Sequence, residues 1–178
     1  MILFRLVRLN EVEVFQELRL KSLKIHSRSM GDLYSEERSK TLVHFMCMLR
    51  DNFVIGLYYN DILCGYVIAS RYSGGTKKKI AHRAICWGAF IDKYKLISQP
   101  NFVSSNVTNL GQQLMNAMME HLKRSGIKIV TAGIAAENTL SIRMCLAVGF
   151  EITHTEKQAM YDPDTNSYND IVMLIKYL

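Results

Sequence analysis

Asn138, Cys145, Gly149 and Phe150 fall in one stretch, Asn138-Thr-Leu-Ser141-Ile-Arg143-Met-Cys145-Leu-Ala-Val-Gly149-Phe150, and their types and spacing define what it can do. The asparagine side-chain oxygen accepts a free backbone N–H at a helix start. A glycine after the last apolar turn suits the left-handed residue that ends a helix. The segment therefore reads as a capped helix feeding a strand. Inside it, the Cys145 thiol can formally donate a proton, since a free thiol has a pKa near ~8.5 against ~10 for tyrosine. It is also a weaker donor of shorter reach, and a buried cysteine is otherwise a small hydrophobe. A covalent, nucleophilic role for the thiol would need a histidine brought close in space, because none follows nearby in the chain. The four cysteines at 47, 64, 86 and 145 lie far apart with no C-x-x-C pair, which argues against a structural zinc site and offers no disulfide framework. No metal is expected.

The elements that must position these groups fit one domain over residues 1–178, a length that supports a real core but not two comfortable ones. Hydrophobic residues make up 49% and charged residues 21%, which excludes disordered and fibrous classes. The apolar runs are too short to span a bilayer, and arginines at 5 and 8 interrupt the first one, so no signal peptide or membrane anchor is expected. With unpaired cysteines, a reducing cytoplasm is the expected location. The net charge of +6 is densest at Lys77-Lys78-Lys79 with His82 and Arg83, a run that reads as a solvated loop or a contact for a phosphate or an acidic partner. Without aromatic interleaving or a recognised motif, nucleic acid is not an expected partner.

Periodicity predicts a first strand over Ile2 to Leu9, then a helix capped by Asn10 with Val14, Phe15 and Leu18 inward and Glu13, Glu17 and Lys21 in water. After Gly31 a second helix is expected from Ser35, with Leu42, Phe45, Met46 and Leu49 as its apolar face. Asn52 to Tyr59 and Ile62 to Ser70 read as a hairpin closed by Asn60-Asp61. Ser73 to Lys79 reads as a flexible connection, and Ala84 to Ile91 as a strand buried on both faces. Gly88 within that strand marks a bulge, a close ligand approach or a packing glycine. A helix follows from Asn106 with Leu110, Leu114, Met115, Met118 and Leu122 on one face, ending at Gly126. Then come a short strand over Ile127 to Thr131, the Asn138 helix, and closing strands over Glu151 to Met160 and Asp170 to Tyr177, joined by a turn at Asp162 to Asn166. The order is an α/β layered domain.

Both this order and the Asn138 segment resemble the GNAT family, the Gcn5-related N-acetyltransferases, along essentially the whole chain. Asn138, Gly149 and Phe150 match the family's Asn, then Tyr, then Gly-Phe pattern, while Cys145 stands where the family carries the tyrosine that commonly protonates coenzyme A thiolate. The resemblance implies a mixed central sheet of about seven strands with helices on both faces. It also implies acetyl-CoA as acyl donor, with its pyrophosphate at a loop of the form Q/R-x-x-G-x-G/A. The aligned residues here are Asn106, Val107, Thr108, Asn109, Leu110 and Gly111, followed by Gln112, and only Gly111 matches. Asparagine tolerates left-handed backbone, so Asn109 can replace the middle glycine, and Asn106, Thr108 and Gln112 offer side-chain donors. A plain capped helix start is the other reading of these residues.

By the same resemblance, the pantetheine arm pairs with the backbone of Ala89, Phe90 and Ile91, one of whose N–H groups polarises the thioester carbonyl. Continuous sheet pairing is the alternative. Asn138 then faces the pantetheine, with Ser141 and Arg143 toward the far end of the coenzyme. A helix cap and a surface arginine remain the simpler readings. Asp92, at the end of the central strand, is the candidate base, or else an aspartate exposed to water. The acid is Cys145, another tyrosine such as Tyr94, or water. Lys93 to Ser105 reads as an insertion, since Asn106 comes fifteen residues after Ile91 where the resemblance implies only a few. The expected activity is acyl transfer to a primary amine by direct attack in a ternary complex, the acceptor being a small molecule, an amino sugar among them, or a peptide. The expected partners are acyl-CoA and that amine, with a homodimer left open. The alternatives are a GNAT-like acyl-CoA-binding sensor that has lost efficient catalysis, and a protein-binding domain built on the Lys77 to Arg83 patch.

Overall fold

The computed structural model describes residues 1–26, 30–72, 77–102, 109–163 and 165–178. Along the chain run β1 (Ile2–Leu6), a 3-10 turn (Leu9–Glu11), α1 (Val12–Ile25), α2 (Tyr34–Glu37), α3 (Leu42–Asp51), β2 (Phe53–Tyr59) and β3 (Ile62–Arg71). There follow α4 (Lys77–Ile80), β4 (Arg83–Ile91), α5 (Lys93–Ile97), α6 (Leu110–Arg124), β5 (Ile129–Ala135), α7 (Thr139–Ala147), β6 (Glu151–Asp162) and β7 (Ser167–Tyr177). The strands form one mixed sheet in the order β1-β2-β3-β4-β5-β7-β6. Among the described residues, β4 and β5 are the only neighbours that run parallel.

Alternation along β3 builds two cores. Leu63, Tyr66 and Ile68 point into a cluster with Phe15 and Leu18 of α1 and Phe45 of α3. Cys64, Val67 and Ala69 point the other way, into a cluster with Leu114, Met118 and Leu122 of α6 and Cys145 of α7. Successive strand side chains face opposite sides, so helices cover both faces of the sheet as expected. Each large apolar side chain so buried contributes roughly 1.5–3 kcal/mol.

Local chemistry explains most boundaries. Asn60 and Asp61 both adopt positive φ, 46° and 65°, as a two-residue hairpin turn requires. Gly149 ends α7 at φ 89°, while the Phe150 N–H donates to the Cys145 carbonyl and the Gly149 N–H to that of Leu146, the paired bonds of a Schellman ending. Other expectations are corrected. Asn10 does not cap α1: a 3-10 turn comes first, and Glu11 at the junction turns its carboxylate to the Arg8 N–H and the Arg5 guanidinium. Val14 and Met46 are exposed, their expected places taken by Val12 and Met48. The second helix is split into the single turn α2 and the separate α3. Residues 77–80 form a short helix rather than a connection, while residues 73–76 lie outside the described residues. The supposed loop from Lys93 begins as α5, and its tail 103–105 likewise lies outside the described residues.

The feature that matters for a site is where β4 and β5 part. They pair only from Arg83 opposite Ile129 to Ile85 opposite Thr131. Beyond that, β4 stays with β3 as far as Ile91, and β5 stays with β7 as far as Ala135. A fork therefore opens between residues 86–91 and 132–135.

Candidate active site

Gly88 lies on the β4 arm of the fork at φ 62°, where one extra residue enters β4 between the pairs Tyr66–Phe90 and Ile68–Trp87. This is a β-bulge, and it re-aims the residues after it. Phe90 is buried in the α1 core, Ile91 is half-buried and Ala89 is exposed. A strand buried on both faces was expected, so the open Ala89 corrects that picture. Among the described residues, the backbone of these three has no partner strand on the β5 side.

α6 starts beside the other core at Asn109, which adopts the left-handed conformation at φ 71°. Asn106, Val107 and Thr108 lie outside the described residues. Leu110 is buried and Gln112 half-buried. A Cβ at Gly111 would come within 2.9 Å of Met144 Sδ, so this glycine lets α6 and α7 approach closely. A helix of this length presents unpaired N–H groups and partial positive charge at its start.

On α7 the Asn138 side chain accepts the Ser141 N–H at 3.2 Å, the cap read from sequence. Ser141 is half-buried and Arg143 exposed. Cys145 is only 2% exposed. Burial pushes its thiol up to about 11, and burial raises the neighbouring Cys86 thiol as well. Cys86 Sγ contacts Met115 Sδ at 3.7 Å. Cys145 thus sits as a neutral thiol among apolar and sulfur-bearing neighbours.

Asp92 follows β4 directly and is 2% exposed, not open to water. Its Oδ1 accepts the Lys95 N–H at 3.0 Å, capping α5, and its Oδ2 accepts from Lys21 Nζ at 2.5 Å. Lys21 remains 44% exposed at its side chain. Together with Glu17, Leu18, Tyr94, Lys95 and Ser98, these two residues line a cleft of about 440 Å³ between α1 and α5. Tyr94 is 83% exposed at its mouth.

One group escaped the sequence reading. Arg19 on α1 is wholly buried, and its guanidinium donates to both Glu37 carboxylate oxygens at 3.2 and 2.9 Å, to Asp32, and to the Tyr66 hydroxyl at 3.3 Å. Burial opposes the guanidinium charge, and Tyr66 and Glu37 outweigh it, so its pKa lies above the usual arginine value. The available signal was an arginine between Phe15, Leu18 and Ser22 on the inward face of an amphipathic helix. Among the described residues, no group of three metal-binding side chains comes together.

Residues 5–173 match the family model described as the acetyltransferase (GNAT) domain. A sequence comparison with curated proteins finds no match. Among solved structures, the yncA protein of Salmonella typhimurium, determined with its cofactor acetyl-CoA, superimposes at TM-score 0.79 with 15% identity, covering 100% of this chain and 94% of that one. The acetyltransferase of GNAT family from Streptococcus pneumoniae gives 0.77 at 14% identity, with 100% of both chains covered. The ribosomal-protein-alanine N-acetyltransferase from Brucella melitensis gives 0.78 at 15% identity, with 99% of both covered.

Proposed function

The chain belongs to the GNAT acetyltransferase family, and from that premise we propose that it transfers the acetyl group of acetyl-CoA to a primary amine in a ternary complex. The observation that carries the reading is the fork: an arm of β4 whose backbone is, among the described residues, open on one side, bulged at Gly88 and exposed at Ala89. An extended amide-bearing chain such as pantetheine would take the place of the missing strand there. Acetyl-CoA supplies an activated acyl group, and an N–H of Ala89, Phe90 or Ile91 would donate to its carbonyl oxygen as negative charge builds. The start of α6 at Asn109 to Gln112, together with Asn106, Val107 and Thr108 ahead of it in the chain, would hold the pyrophosphate with backbone and side-chain donors. Asn138 already spends its oxygen on the Ser141 N–H, which leaves its amide nitrogen for the pantetheine side; Ser141 and Arg143 would lie toward the far end.

Proton movement falls to the cleft. Asp92 is the proposed base, and the acceptor's ammonium would displace Lys21, a half-open side chain, from the carboxylate before losing its proton there or through water. Tyr94 at the cleft mouth or water would return a proton to the departing thiolate. Cys145 is assigned no proton transfer, because its short side chain is buried in the α6 core among apolar neighbours. That same residue favours the second reading, an acyl-CoA-binding module with weak catalysis.

A thermal-shift experiment tests the coenzyme part. Acetyl-CoA at about 100 times its dissociation constant adds roughly 2.7 kcal/mol, enough to raise Tm by about 5–10 °C. No shift with either acetyl-CoA or desulfo-CoA would refute both readings. A shift with no thiol release across a panel of amines would leave only the second.

A further inference from the structure

Arg19 binds no coenzyme in the reading above, yet it is the most heavily engaged charged side chain among the described residues and reaches the bulge itself. Its Nη1 lies 3.2 Å from where a Cβ on Gly88 would stand, so the guanidinium packs against the backbone at the turn of the bulge. Its carbon lies 5.4 Å from the centre of the Trp87 ring, the residue before the bulge. Trp87 is in turn fixed by its indole N–H donating to Ser70 Oγ at 2.8 Å. From the other side Tyr66, which pairs with Phe90 just after the bulge, accepts from Arg19 and shares a 2.5 Å hydrogen bond with Ser22. Arg19 therefore touches residues before, at and opposite the bulge, and its remaining donors hold Asp32 and Glu37.

We propose that Arg19 is a positioning residue: it holds the Gly88 bulge so that the N–H groups after it point into the fork, and it ties that backbone to the Asp32–Glu37 segment as one body. This rests on the coenzyme reading of the fork. A lysine cannot substitute, because one ammonium cannot present a planar fork to Glu37 while also reaching Tyr66 and lying on Trp87. A wholly buried arginine is costly unless its nitrogens are hydrogen-bonded, and the four bonds from Nε, Nη1 and Nη2 fix a single geometry. The network's job is then to specify that geometry rather than to add net stability.

The test compares Arg19→Lys with Leu23→Ala, a substitution in the fully buried part of the same helix, in the full-length protein. Amide hydrogen exchange is followed at residues 87–91 relative to residues 54–58 of β2. Arg19→Lys is expected to speed exchange around the bulge by about tenfold or more over β2, while Leu23→Ala changes both regions together. In turnover, Arg19→Lys should lower kcat by about 10–100-fold with the acetyl-CoA dissociation constant within about threefold. Exchange that rises equally in both regions, or a loss confined to coenzyme affinity, overturns the proposal. Should Arg19→Lys not fold, Glu37→Gln keeps the volume and must show the same selective exchange, or the proposal fails. If the unaltered protein releases no thiol with any amine, the enzymatic reading fails on its own, and the exchange comparison alone decides the role of Arg19.

Discussion

At the scale of the residue, Cys145 is 2% exposed and enclosed in the α6 core, and this burial, which also pushes its thiol up to about 11, sets how the tyrosine position of the family motif behaves here. Cys145→Ala should leave kcat within about threefold and the pH profile unmoved, while costing about 1–2 kcal/mol of stability in denaturant unfolding for the small cavity. A large loss of kcat at unchanged stability would restore the thiol to the chemistry. Asp92→Asn should instead lower kcat by about a hundredfold or more with acetyl-CoA affinity unchanged by calorimetry. Glu11 gives a pH signature. The Arg5 hydrogen bonds, helped by the Arg8 N–H and Tyr58, hold its carboxyl at about 2 in the folded protein. A depressed carboxyl contributes stability that is present above its unfolded pKa of about 4.5 and lost as pH falls toward 2. Discounted for solvent screening, Glu11→Gln should cost on the order of 1 kcal/mol at pH 7 and nothing measurable near pH 2, read from urea midpoints. Asn138 and Gly149 were legible in sequence because capping is local. Arg19 was not, because its partners Glu37 and Tyr66 lie 18 and 47 residues away.

At the scale of the element, α6 and α7 meet where glycine replaces a side chain. Gly111→Val would drive a branched carbon into Met144 Sδ and should cost about 1–3 kcal/mol by overpacking, and also weaken acetyl-CoA binding by shifting the α6 start. Unchanged affinity in a destabilised variant would separate packing from coenzyme binding. The apolar period of α6 was readable from Leu110 to Leu122, since a long amphipathic stripe announces itself. α5 was not. Five residues make a poor helix in isolation, and what holds this one beyond its local Asp92 cap is tertiary: the burial of Leu96 in the α6 core and the grip of Lys21 on Asp92. The α1 start was misplaced for a related reason, since the Glu11 carboxylate serves Arg5 across the turn and Asn10 does not cap.

At the scale of the whole molecule, the sheet divides where its one parallel pair gives out, after Ile85 and Thr131. The strand count was readable as pattern, while the two cores on either side of β3 emerge only in the fold. The fork was not readable from pattern, because parting is a relation between strands far apart in the chain; the family resemblance alone pointed to it. Helices pack on both faces of the sheet, and the proposed chemistry needs the gap between its two arms. The most direct measurement is thiol release from acetyl-CoA with and without primary amines, with the product's mass determined. Amine-dependent release with an acetylated product, lost in Asp92→Asn, is the result predicted. Release no faster with any amine than without, in a protein whose Tm acetyl-CoA still raises, would contradict it.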